Sequence, residues 1–437
     1  MRISPATIAK TVWRWLRQGY VLLLALLALY IAFHWHNGDN INRIWSDSEG
    51  YYMYLPALFI NGGFEGLMVL TPGQFGMYPG TNKVFTRYTC GVAIMELPFF
   101  LLAHLITTLG LFHTKHPTGY SSAYSDAIIV AAVAYVMLAL ELLRRMLLRH
   151  YSPRVVFATV LALWLGTNLY YYTVAEVGMS HAFSFALFVF VLYLTPRLYA
   201  APTPGRALLM GLLLGLVVLI RPTNVLLGLY VLGYDLYTRA DLRARWDFIW
   251  RHLHPLWLMV PAALAVAVPQ LLYWHHLSGD WVIYSYGEAG FDFLTRPRLL
   301  RLLLDIRNGW LLFTPMMWIA LTGLVALCWQ NRHNAQITAW VLALVTYLFA
   351  SWAFWWFGGA FGHRCYVEYY ALLALPLAYS FAQIDRARPS WRVLGGAGVA
   401  LLIFVSMRMA HIYASPWEGA DWTWARLDAI YWEVFTF

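Results

Sequence analysis

Charge is scarce in this sequence. Asp, Glu, Lys and Arg make up 12% of its 437 residues, where a soluble domain carries roughly a quarter. Apolar residues reach 61%, so water is excluded as the only solvent and lipid is indicated. Cysteine is nearly absent. Cys90, Cys328 and Cys365 have no metal-ligand spacing, which excludes a zinc-stapled scaffold. Cys90 and Cys365 fall on the same expected side of the membrane, so one disulfide stays open beside the default of free thiols. Internal repeats, long linkers and low-complexity tracts are missing too, which favours a single membrane domain over 1–437. The net charge of +9 does not point to nucleic acid, because the arginines sit in short clusters between apolar segments. That pattern fixes orientation in a bilayer.

About 20 apolar residues cross a bilayer core. Such runs predict spans near 18–35, 124–143, 154–174, 181–197, 207–220, 223–238, 255–274, 310–329, 335–356, 366–384 and 393–412. Lys10, Arg14 and Arg17 lead into Val21–Phe33 with no small-residue cleavage site behind it, so the first run is expected to stay as a membrane helix. The segment 91–112 is apolar enough to span but carries Glu96 and Pro98 in its middle. Counting basic residues decides its reading. If it does not span and the N-terminus is cytoplasmic, the clusters at 144–154, 197–206, 239–251, 332 and 386–392 join Arg2, Lys10, Arg14 and Arg17 on the inner side. Together they hold 18 of the 30 Lys and Arg. The segment is then interfacial or re-entrant. The expectation is an all-α polytopic membrane protein of about eleven spans. Its large first outer loop, 36–123, carries interfacial helices, and further outer segments lie at 275–309, 357–365 and 413–437.

The first outer loop opens with Trp45-Ser46-Asp47-Ser48-Glu49-Gly50-Tyr51-Tyr52. Ser46 with Glu49 reads as a capping box before the apolar run Met53–Ile60. A carboxylate at the positive end of a helix is also placed to act as a general base on a hydroxyl or to ligate a divalent metal. Arg296, Arg298, Arg301 and Arg307 crowd an amphipathic stretch suited to anchoring on anionic headgroups or to binding a phosphate. Arg364 follows the glycine-rich turn Gly358-Gly359-Ala360-Phe361-Gly362-His363, where a guanidinium can grip a phosphate bidentately and stabilise it as a leaving group. Arg221 lies at an outer turn between two apolar segments, where it either satisfies carbonyls or serves the site. Glu176 and His181 span another outer turn. They are either solvated or, with His363, able to support the base or share a metal. The aromatics (17%) are mostly interface belt; Tyr51, Tyr52, Tyr54, Trp352, Trp355 and Trp356 are candidates to stack on a sugar.

An acidic pair opening a long first outer loop, followed by an apolar interfacial helix, resembles the GT-C superfamily of membrane glycosyltransferases. The likeness is nearest to bacterial relatives of protein O-mannosyltransferases and aminoarabinose transferases. The segments LLRRMLLRHYSPRVVFATVLALWLGTNLYYY, GLLLGLVVLIRPTN and WWFGGAFGHRCYVEYYALLALPLA extend it over most of the chain. The resemblance implies an inverting transfer from a polyprenyl-phosphate-linked sugar to a glycan, lipid or protein acceptor. The reaction would take place on the outer face of a bacterial inner membrane. It casts Asp47 as base or metal ligand with Glu49 as its partner, and Arg364 and the Arg296–Arg307 group as phosphate binders. The 25 residues after the last expected span depart from relatives with a large soluble C-terminal domain, which leaves acceptor recognition to the loops. A transporter or flippase is the competing reading, but it is expected to show repeats and midplane charges.

Overall fold

The computed structural model describes residues 5–35, 43–111, 118–359, 361–412 and 423–436. Apart from one short antiparallel ribbon, Gly76–Met77 with Val84–Phe85, its regular elements are helices. That follows from the solvent: in lipid, backbone groups must be satisfied within their own segment. Five helices are long and apolar enough to cross a membrane: Gly91–Thr108, Ser122–Leu147, Ser180–Ala200, Leu253–Ser278 and Pro389–Ile412. Shorter apolar helices include Gly19–Trp35, Pro153–Leu165, Pro204–Ile220, Met316–Trp329 and Ala335–Ser351. The protein is an integral membrane protein, and each of the eleven expected spans falls on helix.

Several expected spans are broken. The run 154–174 divides into Pro153–Leu165 and Leu169–Val174. At the break the Thr167 hydroxyl donates to the Leu163 carbonyl (2.6 Å), and the Asn168 side chain is taken by the Phe361 carbonyl and the Tyr370 hydroxyl. The run 310–329 breaks at Thr314-Pro315, where proline disfavours helix in the residue before it. In the 91–112 segment, the Gly91–Thr108 helix packs onto the bundle. The Tyr135 hydroxyl donates to the Met95 carbonyl (3.0 Å), and His104 Nδ1 meets the Tyr124 hydroxyl (2.7 Å). It therefore runs antiparallel along the first half of Ser122–Leu147.

Close helix contacts rest on small residues, as membrane packing requires. A Cβ on Gly211 would sit 2.3 Å from the Met259 carbonyl oxygen, and one on Gly215 2.8 Å from that of Ala263. This G-x-x-x-G face seats Pro204–Ile220 against Met259–Ser278.

The loops sort to two ends. At one end His150 packs on His333 (4.7 Å between centroids), and Asp235 and Tyr237 bond Asn334. At the other, Asp47 meets Arg364, and Thr89 bonds the Leu219 carbonyl beside Arg221. The expected inner and outer loops thus gather separately.

Candidate active site

The site is built at the second end by three chain turns. The first begins at Ser46, a non-glycine residue at φ 54°, a sparsely populated and strained conformation. The expected capping box is absent. Ser46 makes no side-chain cap, and its N–H donates to the Thr71 hydroxyl (3.0 Å). Glu49 faces the same way. It is fully buried, and its carboxylate accepts the N–H groups of Leu70 and Thr71, the latter at 2.8 Å. Two carboxylates on one short helix, Asp47–Tyr52, therefore point to different tasks. Glu49 pins the loop at 70–71, and Asp47 is left to the site.

The second turn is Ile220-Arg221-Pro222. Pro222 forces Arg221 into extended backbone (φ −149°, ψ 113°), which ends the Pro204–Ile220 helix and starts a 3-10 turn over Pro222–Leu226. The third is 357–364. Phe357 (φ 54°), Gly358 (φ 77°) and Gly362 (φ 65°) take the left-handed region. Asn308 donates to the carbonyls of Trp356 (3.1 Å) and Gly358 (2.8 Å). This coil aims Arg364 back at the first turn.

There Arg364 meets Asp47 Oδ2 at 3.0 Å. Asp47 Oδ1 accepts from Gln74 Nε2 (2.9 Å) and from the Tyr88 hydroxyl. Burial pushes the Asp47 carboxyl upward, but the Arg364 charge and these hydrogen bonds outweigh it and hold the group below the usual aspartate value. Tyr88 is pushed up by burial and by Asp47, so it stays a phenol donor. Beneath lies a second, more deeply buried cluster. Glu368, fully buried, approaches Arg221 Nε (3.6 Å), His181 Nδ1 (3.3 Å) and Asn224 Nδ2 (3.4 Å), while Arg221 also donates to Cys365 Sγ (2.7 Å). Burial raises the Cys365 thiol to about 11, so it is a neutral acceptor.

These groups open onto a cavity of about 720 Å³. Its polar lining is Asp47, Gln74, Tyr88, His181 and four arginines, Arg87, Arg221, Arg307 and Arg364. Its aromatic lining includes Tyr51, Tyr284, Tyr286, Phe291, Trp352, Phe354 and Trp356, with Tyr51 against Tyr88 and Arg307 over Trp356.

Of the residues singled out in the sequence, Asp47, Arg221, Arg364, Arg307 and His181 reach this cavity. Glu176 does not line it but interacts with Arg364 and Asp47, and burial lifts its carboxyl to about 7. Glu49, Arg296, Arg298 and Arg301 stand outside the lining: Arg298 stacks over the Phe293 ring (3.8 Å), and Arg296 bonds through its backbone. His363 is buried against Phe349, its Nε2 bonding the Trp355 carbonyl (3.0 Å). It supports the turn. Tyr52, Tyr54 and Trp355 are buried in the packing, whereas Tyr51, Trp352 and Trp356 face the cavity. Cys90 and Cys365 are both free thiols.

A divalent metal does not fit the acidic pair. The oxygens of Asp47 and Glu49 point at N–H and O–H donors, and the two carboxylates share no point. Among the described residues no group of three His, Cys, Asp or Glu side chains is placed to hold a metal ion.

Sequence reading missed Gln74, Tyr88, Arg87, Tyr284, Tyr286, Asn224 and Glu368. Only Glu368 left a signal, as a lone acid in the apolar run Tyr366–Leu377.

Fold and site together define a polytopic membrane protein with a charged, aromatic-walled cavity at one end of its bundle. The crystal structure of ArnT from Cupriavidus metallidurans bound to undecaprenyl phosphate has the same fold, with a TM-score of 0.56 and 16% identity. The match covers 88% of this chain and 63% of ArnT, so the chain spans less than two thirds of that protein. The chain therefore shares the fold of ArnT, and it is the all-α polytopic membrane fold expected from the sequence. No protein-family model and no curated protein matches the chain.

Proposed function

We propose that the protein is an inverting glycosyltransferase that moves a sugar from a polyprenyl-phosphate donor to an acceptor hydroxyl, on the membrane face opposite its arginine clusters. The observation that carries this reading is the Asp47–Arg364 pair in the lining of an aromatic-walled cavity. Transfer from a lipid phosphate needs a base for the acceptor and positive charge for the departing phosphate. Asp47 is the base, held ionised at neutral pH. Its Oδ2 takes the hydroxyl proton as the acceptor oxygen bonds to the anomeric carbon. The bond from that carbon to the phosphate oxygen breaks, and the electron pair leaves on the phosphate. Arg364, Arg221, Arg307 and Arg87 line the space that receives it. Arg364 is bonded to Asp47, so a phosphate that draws Arg364 toward itself also frees Oδ2. The donor then binds before the acceptor. ArnT bound to undecaprenyl phosphate supports a lipid-phosphate ligand for this fold. The positive-inside count supports a cytoplasmic N-terminus and an outward site, in a bacterial inner membrane.

The test is transfer from radiolabelled polyprenyl-phosphate sugars by purified wild type and Asp47→Asn, with membrane extract as acceptor. Transfer by wild type alone sustains the proposal. If neither transfers with any donor sugar, the transporter or flippase reading replaces it.

A further inference from the structure

At the end of the bundle away from the cavity, the helix Arg239–Arg251 buries none of its residues. Its own ends hold it. The Thr238 hydroxyl accepts the Asp241 N–H (3.2 Å), and the Asp241 carboxylate accepts the N–H groups of Thr238 (2.7 Å) and Tyr237 (3.0 Å). One side touches the bundle: Arg245 lies over the Tyr199 ring (3.4 Å) and donates to the Tyr234 carbonyl (2.6 Å), and Phe248 meets Tyr199.

Elsewhere on the helix Leu242, Trp246 and Trp250 are exposed by 62%, 61% and 58%. The stripe continues through Leu253 and Trp257 into the membrane helix, where Val260, Leu264, Val268 and Leu272 are exposed in turn. Steps of four keep Leu242, Trp246 and Trp250 on one face of the first helix, and steps of three and four keep Leu253 to Leu272 on one face after the break at His252 (φ −116°, ψ 24°). The second half of that stripe lies on a helix long and apolar enough to cross the bilayer, so acyl chains cover it. The first half adjoins it across the break at His252 and carries tryptophan, the residue enriched where chains give way to headgroups. Arg239 and Arg243 lie within and beside the stripe and Arg251 at the end of the same helix, and none of the three forms a salt bridge among the described residues. Asp241 is spent on the cap, which leaves Asp247 as the one other acid on the helix.

We propose that Arg239–Arg251 is a binding site for anionic phospholipid headgroups. It lies in the interface of the leaflet opposite the cavity, its tryptophans among the upper acyl chains and Arg239, Arg243 and Arg251 on the lipid phosphates. This site is independent of the transfer reaction.

The test uses the full chain in nanodiscs of phosphatidylcholine mixed with phosphatidylglycerol. Native mass spectrometry counts the lipids it retains. Wild type is expected to retain phosphatidylglycerol in preference. Each arginine changed to glutamine weakens that retention about fivefold, so Arg239→Gln/Arg243→Gln/Arg251→Gln loses on the order of a hundredfold. The triple lysine variant keeps the preference, because charge rather than a bidentate fork does the binding. If the glutamine triple variant does not fold, Arg243→Gln alone still reports the fivefold step. A nitroxide on Trp246→Cys, in a Cys328→Ser background, is expected to be relaxed by oxygen dissolved in the bilayer. Equal phosphatidylglycerol retention by Arg243→Gln and wild type overturns the proposal. So does relaxation of the nitroxide by a water-soluble nickel chelate, which would place the stripe in water against a protein partner.

Discussion

The two ends of this bundle use the same residue differently. At the cavity end, Arg221 and Arg364 are drawn inside and set against Glu368 and Asp47 at 3.6 and 3.0 Å. At the other end, Arg206 donates to the carbonyls of Arg197 (3.0 Å) and Ala201 (2.7 Å), Arg245 to that of Tyr234, and Arg332 and Arg388 stand in the open. The arginine count is higher where the chemistry is absent. Charge number reads sidedness. Burial of an ion pair alone does not separate the ends, since Arg144 is buried against Glu141 at the other end (2.6 Å). What sets Arg221 and Arg364 apart is that both also line the cavity.

The strongest way to break the comparison is Asp47→Asn. An amide of the same shape keeps the Tyr88 and Gln74 neighbours but cannot take a proton. Turnover is expected to fall about 10²- to 10⁴-fold, the range a general base contributes, with the protein still folded by thermal melting. Activity near wild type would leave the cavity end without its base. Next is Arg364→Ala, which removes charge from the departing phosphate and leaves Asp47 without its ion pair. The expected loss is on the order of 10²- to 10³-fold in turnover, and lysine restores only part of it because it lacks the planar fork. Steady-state transfer assays separate the two, since the alanine variant also alters how donor inhibits at a fixed acceptor level.

Glu49→Gln tests the other carboxylate of the pair. It keeps one acceptor oxygen but loses the charge on which Leu70 and Thr71 converge. The loss of stability should be roughly 1–3 kcal/mol, read from the thermal midpoint in detergent. Protein that remains folded should turn over at near the wild-type rate. A normal midpoint with abolished transfer would put Glu49 back in the chemistry.

Tyr88→Phe has a smaller effect with a definite sign. Asp47 is held low, so the ionised base is present at neutral pH and is lost as pH falls through its value in the folded protein. Removing the Tyr88 hydroxyl takes away one of the bonds that hold it low. The acid limb of kcat/KM should therefore move to higher pH. The plateau should change little. An unmoved limb would mean that the limb does not report Asp47.

Most of the fold was legible because lipid simplifies the code: apolar runs must be helices, and basic clusters choose a side. The break at Gly166–Asn168 was less so, because the Asn168 side chain that marks it is held by the Phe361 carbonyl and the Tyr370 hydroxyl, far along the chain. In the site, Asp47 and Arg364 stood out as charges at outer turns. Glu49 misled because spacing alone makes a capping box, whereas its partners, Leu70 and Thr71, are about twenty residues away and set by the strained turn at Ser46. Gln74, Tyr88 and the aromatic wall at 284–291 left no trace, since their place depends on how long loops fold back.

The smallest effect belongs to the arginine-rich end, and its smallness is the point. Arg332→Ala and Arg388→Ala remove exposed charges with no ion pair among the described residues. Surface changes of this kind stay within about 0.5 kcal/mol, so both variants should melt and turn over like wild type. In the proposed orientation their role is shared among the 18 basic residues expected on that side, so no single loss is expected to invert the chain. A membrane-impermeant thiol reagent checks it: a cysteine at position 150 should stay unlabelled from outside in wild type and in both variants, while one at position 48 labels. If Arg332→Ala alone exposed position 150, sidedness would rest on one residue, and the separation between an end that orients and an end that reacts would have to be redrawn.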